Sequence, residues 1–85
     1  MMNKLNPLTI IPGVGKSIAK DLNDIGIAQV NDLKGKDPEI LYQLSNKKAG
    51  ATQDRCLLYV FRCAIYFAEG GRDPEKLKWW NWKDK

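Results

Sequence analysis

Histidine is absent from the 85 residues of this sequence, and cysteine occurs only twice. Histidine is the usual general base near neutral pH and the commonest metal ligand, so the most frequent forms of both kinds of site are excluded. Carboxylates do not cluster beside a candidate nucleophile either. We therefore expect a protein that is not an enzyme and that carries no cofactor.

The two cysteines do not suggest a disulfide or a metal site. Cys56 and Cys63 are separated by about 10 Å along one predicted helix, whereas a disulfide needs α-carbons within about 7 Å. Two thiols alone do not complete a zinc site, which takes four ligands. We expect both to be small apolar core residues in a reducing compartment.

Long apolar runs are also missing. The longest apolar segment, Cys56 to Ala68, is interrupted only by Arg62 and is shorter than the roughly 20 residues that span a membrane. The first residues, Met-Met-Asn-Lys, lack the apolar region of a secretory signal. The sequence predicts a cytoplasmic protein without a membrane partner.

Proline and glycine punctuate a helical pattern, and strand signals are nearly absent. Asp37-Pro38-Glu39 and Asp73-Pro74-Glu75 each combine an N-cap, a first-position proline and a first-turn acid. Gly50 and Gly70-Gly71 predict helix ends. We expect one all-α domain over 1–85, a compact five- or six-helix bundle with loose ends near 1–4 and 83–85. The predicted helices span 5–11, 15–25, 30–34, 38–47, 53–69 and 74–80.

The predicted helix 53–69 is apolar on all sides, which is typical of a central helix surrounded by others. A buried guanidinium is strongly destabilising unless it is paired. We therefore expect Arg62 to reach the surface or to meet a carboxylate, either Glu69 or an acid of another helix.

The most informative motif is the Ile-Pro-Gly-Val-Gly-Lys-Ser segment at residues 11–17. Glycine permits positive φ and close backbone approach, and Pro12 ends the preceding helix. Apolar residues at 18, 19 and 22 then follow helical spacing. The unpaired amides at such a helix start bind anions. With Lys16 and Ser17 beside them, the segment predicts a phosphate site.

Two other interpretations of this segment make different demands on the sequence. A nucleotide-binding P-loop needs a glycine five positions before the glycine of Gly15-Lys16-Ser17, where this sequence has Ile10. It also needs a preceding strand, so we expect no nucleotide. A plain helix–helix corner, in which the glycines only relieve crowding and Lys16 is solvated, stays open.

The apolar and glycine pattern around this segment resembles the helix-hairpin-helix DNA-binding motif of recombinase, repair and competence proteins. The matching positions are Leu8, Ile11, Pro12-Gly13-Val14-Gly15, Ala19, Leu22, Gly26-Ile27, Val30 and Asp32-Leu33. The resemblance implies a SAM-domain-like fold whose hairpin holds a DNA phosphate without regard to base sequence. The implied phosphate-binding residues are Gly13, Val14, Gly15, Lys16 and Ser17. A monovalent cation, held by some members of that family, would here lie on the carbonyls of Thr9, Ile11 and Val14.

A second basic pair, Lys47-Lys48, lies in a predicted loop. The net charge of +4 is modest, but the first twenty residues contain no acid. Residues 41–58 resemble a degenerate second hairpin, in which Lys47, Lys48 and Arg55 would contact phosphates of the other strand. A solvated lysine pair is given equal weight.

Three tryptophans, Trp79, Trp80 and Trp82, stand near the end of the sequence. Tryptophan can stack on unpaired bases, but terminal tryptophans more often cover a small core. Because neighbouring side chains on a helix point apart, we expect one or two to be buried and one to be partly exposed.

The hairpin, residues 54–64 and residues 73–82 together resemble a family of small bacterial proteins named after a pathogenicity locus and sometimes labelled mitomycin-resistance proteins. The resemblance covers nearly the whole chain and implies a helix-hairpin-helix domain that binds DNA. We therefore expect a non-catalytic, sequence-nonspecific DNA-binding module. The alternative is a helical protein–protein interaction module without a nucleic-acid role, using the tryptophan-bearing end or an exposed apolar helix surface.

Overall fold

The computed structural model describes residues 6–83, and over that range the chain is all-helical. Its α-helices are α1 (Lys16–Asp24), α2 (Pro38–Ala49) and α3 (Cys56–Ala68). Three short 3₁₀ turns accompany them, at Pro7–Ile10, Val30–Leu33 and Trp79–Trp82. None of the helices in this range is long and apolar enough to cross a membrane.

The all-α prediction is confirmed, but the described chain contains three α-helices rather than a five- or six-helix bundle. The segments predicted near 5–11, 30–34 and 74–80 form 3₁₀ turns or isolated turns. A first helical turn fixes several dihedral angles for one hydrogen bond, so segments this short gain little by extending. In the last of them, the amides of Lys76 and Leu77 both donate to the Asp73 carbonyl at 3.0 Å. The described residues do not include the predicted loose end 1–4, or Leu5 at the start of the first predicted helix. They include only residue 83 of the predicted loose end 83–85.

Helix α2 begins and ends where its capping residues predict. The Asp37 carboxylate accepts the Glu39 amide at 2.9 Å, and Gly50 takes a φ of +76° at the C-terminal cap. Lys47 and Lys48 lie in the last turn of α2, not in a loop as predicted. The helix continues through them because the positive φ needed to end it is first available at Gly50.

Helix α3 begins at Cys56, three residues later than predicted. The Asp54 carboxylate accepts the Cys56 amide at 2.9 Å, while Gln53 is bound to α2 through the Asn46 side chain. The helix is central, as predicted, with Leu58 and Phe61 completely buried. The preceding loop is therefore an anchored connection between α2 and α3.

Arg62 of α3 pairs with an acid of another helix, which was one of the two carboxylate partners predicted for it. Its guanidinium donates to Glu39 Oε2 of α2 at 3.2 Å and to the Trp82 carbonyl oxygen at 2.7 Å. The other predicted partner, Glu69, instead accepts the Gly35 amide at 3.1 Å. Arg62 thereby links α2, α3 and the last 3₁₀ turn.

Candidate functional site

A tight turn joins the Pro7–Ile10 segment to α1. The Ile11 carbonyl accepts the Val14 amide at 3.0 Å, which closes the turn, and Gly13 takes a φ of +88°. The Leu8, Ile11 and Val14 side chains are buried in the core. The turn, which we call the hairpin (residues 11–15), is therefore anchored by its apolar residues while its glycines face the solvent.

Gly13 lies directly against the ring of Trp79. A Cβ atom built on Gly13 would lie 2.9 Å from Trp79 Cδ1, closer than real side chains approach. This contact brings the last 3₁₀ turn onto the hairpin. Sequence reasoning did not find it, because no local pattern connects two residues so far apart along the chain.

The first turn of α1 offers backbone amides without a side-chain acceptor. Its N-cap, Gly15, has no side chain, no described side chain replaces it, and the first turn contains no acid. The first helical bond runs from the Ala19 amide to the Gly15 carbonyl at 2.9 Å. The amides of Lys16 and Ser17 consequently lack intrahelical acceptors, and both residues are exposed.

The other two α-helices differ at this point. The Asp37 and Asp54 carboxylates accept first-turn amides of α2 and α3, each at 2.9 Å. An internal carboxylate occupies the position that an external anion would take. Among the three described α-helices, only α1 presents its N-terminus to an anion from solution.

The charges on α1 are unevenly placed. No acid occurs between residues 6 and 20, so the N-terminal end carries only the positive charges of Lys16 and Lys20. Lys20 pairs with Asp24 at 3.4 Å, an exposed contact one turn away. Lys16, at the start of the helix, forms no ion pair with another of residues 6–83.

Lys47 and Lys48 lie at the opposite end of α1. Together with Leu44 they border a shallow groove whose other wall is formed by Asp24 and Ile25, and Lys48 also lies near Asp21. The distance along α1 from its start to this groove is about 12 Å. The structure brings Gly13 to Ser17 together, but it separates them from the second basic pair by acidic side chains.

The carbonyls predicted to hold a monovalent cation belong to the same turn. The Ile11 carbonyl accepts the Val14 amide and keeps one lone pair for a further partner. The Thr9 hydroxyl is bound to the Asn6 carbonyl at 2.7 Å. Within residues 6–83, no group of three or more acidic or cysteine side chains is arranged to hold a metal ion.

The prediction that one or two of the tryptophans are buried is wrong, because none of the three is fully buried. Trp79 and Trp82 are half-buried, and Trp80 is 50% exposed. A 3₁₀ turn has three residues per turn, so Trp79 and Trp82 share one face and Trp80 faces elsewhere. The first two cover the core from its side, Trp79 over Gly13 and Trp82 beside Tyr66, with ring centroids 5.6 Å apart.

Comparison with known proteins gives the chain a family. The sequence model of the family described as "Pathogenicity locus" matches residues 1–85. The mitomycin resistance protein McrB of Streptomyces lavendulae is 35% identical over 75 residues, covering 88% of this chain and 69% of that protein. No solved structure matches the chain. Because the family match spans the full sequence, the chain belongs to the pathogenicity-locus family.

Proposed function

We propose that this protein is a non-catalytic DNA-binding module that holds backbone phosphates without regard to base sequence. The observation that carries the proposal is the open N-terminus of α1, where the amides of Lys16 and Ser17 lack a side-chain acceptor and the first turn contains no acid. Free amides and the positive end of the helix dipole both favour an anion at this position. The Lys16 ammonium and the Ser17 hydroxyl add a charge and a donor.

The hairpin supplies the rest of the proposed contact. Gly13 and Gly15 are exposed and have no side chains of their own to keep a phosphate away from the turn. The Val14 amide is bound to the Ile11 carbonyl and Trp79 packs against one side of Gly13, so we propose that the phosphate meets the hairpin at Gly15, Lys16 and Ser17, with Gly13 and Val14 shaping the turn. We interpret Pro7–Ile10, the hairpin and α1 as a helix-hairpin-helix motif in a SAM-domain-like fold, with the first helix reduced to a single 3₁₀ turn. A monovalent cation on the Thr9, Ile11 and Val14 carbonyls would add positive charge to the same turn.

A second phosphate contact is proposed at Lys47 and Lys48. Both are exposed and lie about 12 Å along α1 from the first contact. Asp24 borders the same groove and opposes phosphate there, so we propose the hairpin as the principal contact. Two to four neutralised phosphates correspond to a log–log salt slope of about −2 to −4 and a Kd near 10⁻⁴–10⁻⁶ M.

Gly15 offers a matched pair of variants that tests this function. Its φ of −90° and ψ of −174° suit any residue, and a Cβ atom added there would meet nothing beyond its chain neighbours within 4 Å. Asparagine and aspartate have nearly the same shape and are comparable N-caps. Only Gly15→Asp, however, places a negative charge where the phosphate would bind.

The experiment is a salt titration of a labelled duplex by fluorescence anisotropy with the wild type, Gly15→Asn and Gly15→Asp. We expect Gly15→Asn to weaken binding moderately, because its side chain caps a first-turn amide. Gly15→Asp should bind at least about tenfold more weakly than Gly15→Asn, since it also places a negative charge at the phosphate position. Equal affinities for the two variants, or no binding by the wild type at low salt, would contradict the proposal.

A second function is favoured by one observation. Ile40 and Leu44 lie one turn apart on α2 and are 55% and 44% exposed, and the same face continues to Lys47 and Lys48. Such a surface suits a protein segment with apolar side chains flanked by acids. If this is the function, the wild type has no salt-dependent affinity for DNA, and Ile40→Gln with Leu44→Gln abolishes binding of an acidic amphipathic peptide.

A further inference from the structure

Trp80 presents an exposed indole ring close to the hairpin. Its ring meets that of Trp79 edge to face, with centroids 5.7 Å apart and planes at 86°. Trp79 in turn packs over Gly13. Half of Trp80 remains exposed, so a large apolar surface lies one aromatic ring away from the proposed phosphate contact.

The backbone that carries Trp80 is held in place. The Trp82 indole donates to the Lys76 carbonyl at 2.6 Å, and the Asn81 amide group donates to the Glu75 carbonyl at 2.7 Å. Arg62 binds the Trp82 carbonyl from α3 at 2.7 Å. The ring therefore projects from an anchored turn, and a ligand that covered it would not have to order a loose segment first.

The charges around this turn suit an anionic ligand. Lys78 and Lys83 are exposed at its two ends. Lys78 pairs with Glu75 at 3.1 Å and is partly compensated. Lys83 is a second cation, directly after the turn.

We propose that Trp80 is a stacking platform for an unpaired nucleobase, so that the preferred ligand is DNA with an unpaired segment next to the phosphate held by the hairpin. This inference rests on the proposed phosphate contact. Every base has a π-face, but in a duplex those faces are covered by neighbouring base pairs. An aromatic ring beside a phosphate site therefore gains most from a strand whose bases are free.

The test uses three labelled ligands of equal charge: a blunt duplex, a duplex with a single-stranded tail, and the same tailed duplex with abasic nucleotides in the tail. The proteins are the wild type, Trp80→Ala, Trp80→Phe and Gly15→Asp. Ile40→Ala, an equally exposed apolar residue on α2, serves as the control. Circular dichroism establishes that each variant is folded.

We expect Trp80→Ala to weaken binding of the tailed duplex about 5- to 30-fold, in line with stacking on one base. Its affinity for the blunt and abasic ligands should equal that of the wild type. Trp80→Phe keeps an aromatic ring and should retain most of the affinity, and Ile40→Ala should match the wild type. Gly15→Asp should weaken binding of all three ligands.

The outcomes separate the two proposals. Two results would overturn the stacking proposal alone, provided that the wild type binds all three ligands. Trp80→Ala would either leave all three affinities unchanged or weaken binding of the tailed and abasic ligands equally. If the wild type binds none of the three ligands, the proposed phosphate contact is overturned, and the stacking proposal with it.

Discussion

Replacing Gly13 with alanine should destabilise the protein through two separate effects. The residue has a φ of +88°, and forcing an L-residue with a side chain into this region costs about 1–2 kcal/mol. The added Cβ would also lie 2.9 Å from Trp79 Cδ1, and such overpacking typically costs about 1–3 kcal/mol. We therefore expect Gly13→Ala to lower the free energy of unfolding by about 2–5 kcal/mol.

This loss is large for a domain of this size. At about 0.05–0.15 kcal/mol per residue, the total stability is about 4–13 kcal/mol. Each kcal/mol corresponds to a shift in Tm of about 4–8 °C. Urea denaturation followed by circular dichroism measures the difference, and Gly15→Ala is the control because its backbone is extended and its Cβ meets no atom within 4 Å beyond its chain neighbours.

A double-mutant cycle isolates the contact with Trp79. In a Trp79→Ala background the added methyl group has room, so Gly13→Ala should retain only the φ penalty. The coupling energy between the two positions should then be about 1–3 kcal/mol. A coupling near zero, or equal stabilities of Gly13→Ala and Gly15→Ala, would refute the close packing of the last 3₁₀ turn on the hairpin.

Three further predictions concern other parts of the molecule. Arg62→Ala should lower the free energy of unfolding by about 1–3 kcal/mol, since it removes the bonds to Glu39 and to the Trp82 carbonyl. Glu39→Gln should cost under about 1 kcal/mol because that carboxylate is exposed, and equal effects of the two variants in urea denaturation would contradict this. Burial raises the pKa of the Cys63 thiol above its ordinary value of 9.0, so the unfolded chain loses the proton first and the free energy of unfolding should fall as pH rises above about 9. Cys63→Ala should show a shallower fall over that range, and identical profiles would refute the assignment. Lys47→Gln with Lys48→Gln should make the log–log salt slope of DNA binding less steep by about 1–2, and an unchanged slope would remove these lysines from the proposed interface.

The helix ends were predictable where capping chemistry is local. Asp37-Pro38-Glu39 and Gly50 fix the two ends of α2 within the sequence itself, and the structure follows them. The same signal at Asp73-Pro74-Glu75 did not produce a helix. There the segment instead turns back, and the side chains of Asn81 and Trp82 donate to the carbonyls of residues 75 and 76, respectively. Local propensity does not contain such contacts.

The candidate site was predictable in its hairpin and not in its surroundings. Gly13, Gly15 and the helix start at Lys16 follow from residue type and spacing, because each depends on backbone conformation within a few residues. The contact of Trp79 with Gly13 and the groove shared by Lys48 and Asp24 depend on how distant segments pack. These two features required the structure.

Phosphate binding at the hairpin is tested most directly by titrating isotope-labelled protein with a short DNA duplex and following the backbone amide resonances. We expect the largest shifts at Gly13, Gly15, Lys16 and Ser17, and loss of these shifts when the salt concentration is raised, since the contact is electrostatic. Shifts centred instead on Ile40 and Leu44, or no salt-dependent shift at the start of α1, would contradict phosphate binding at the hairpin.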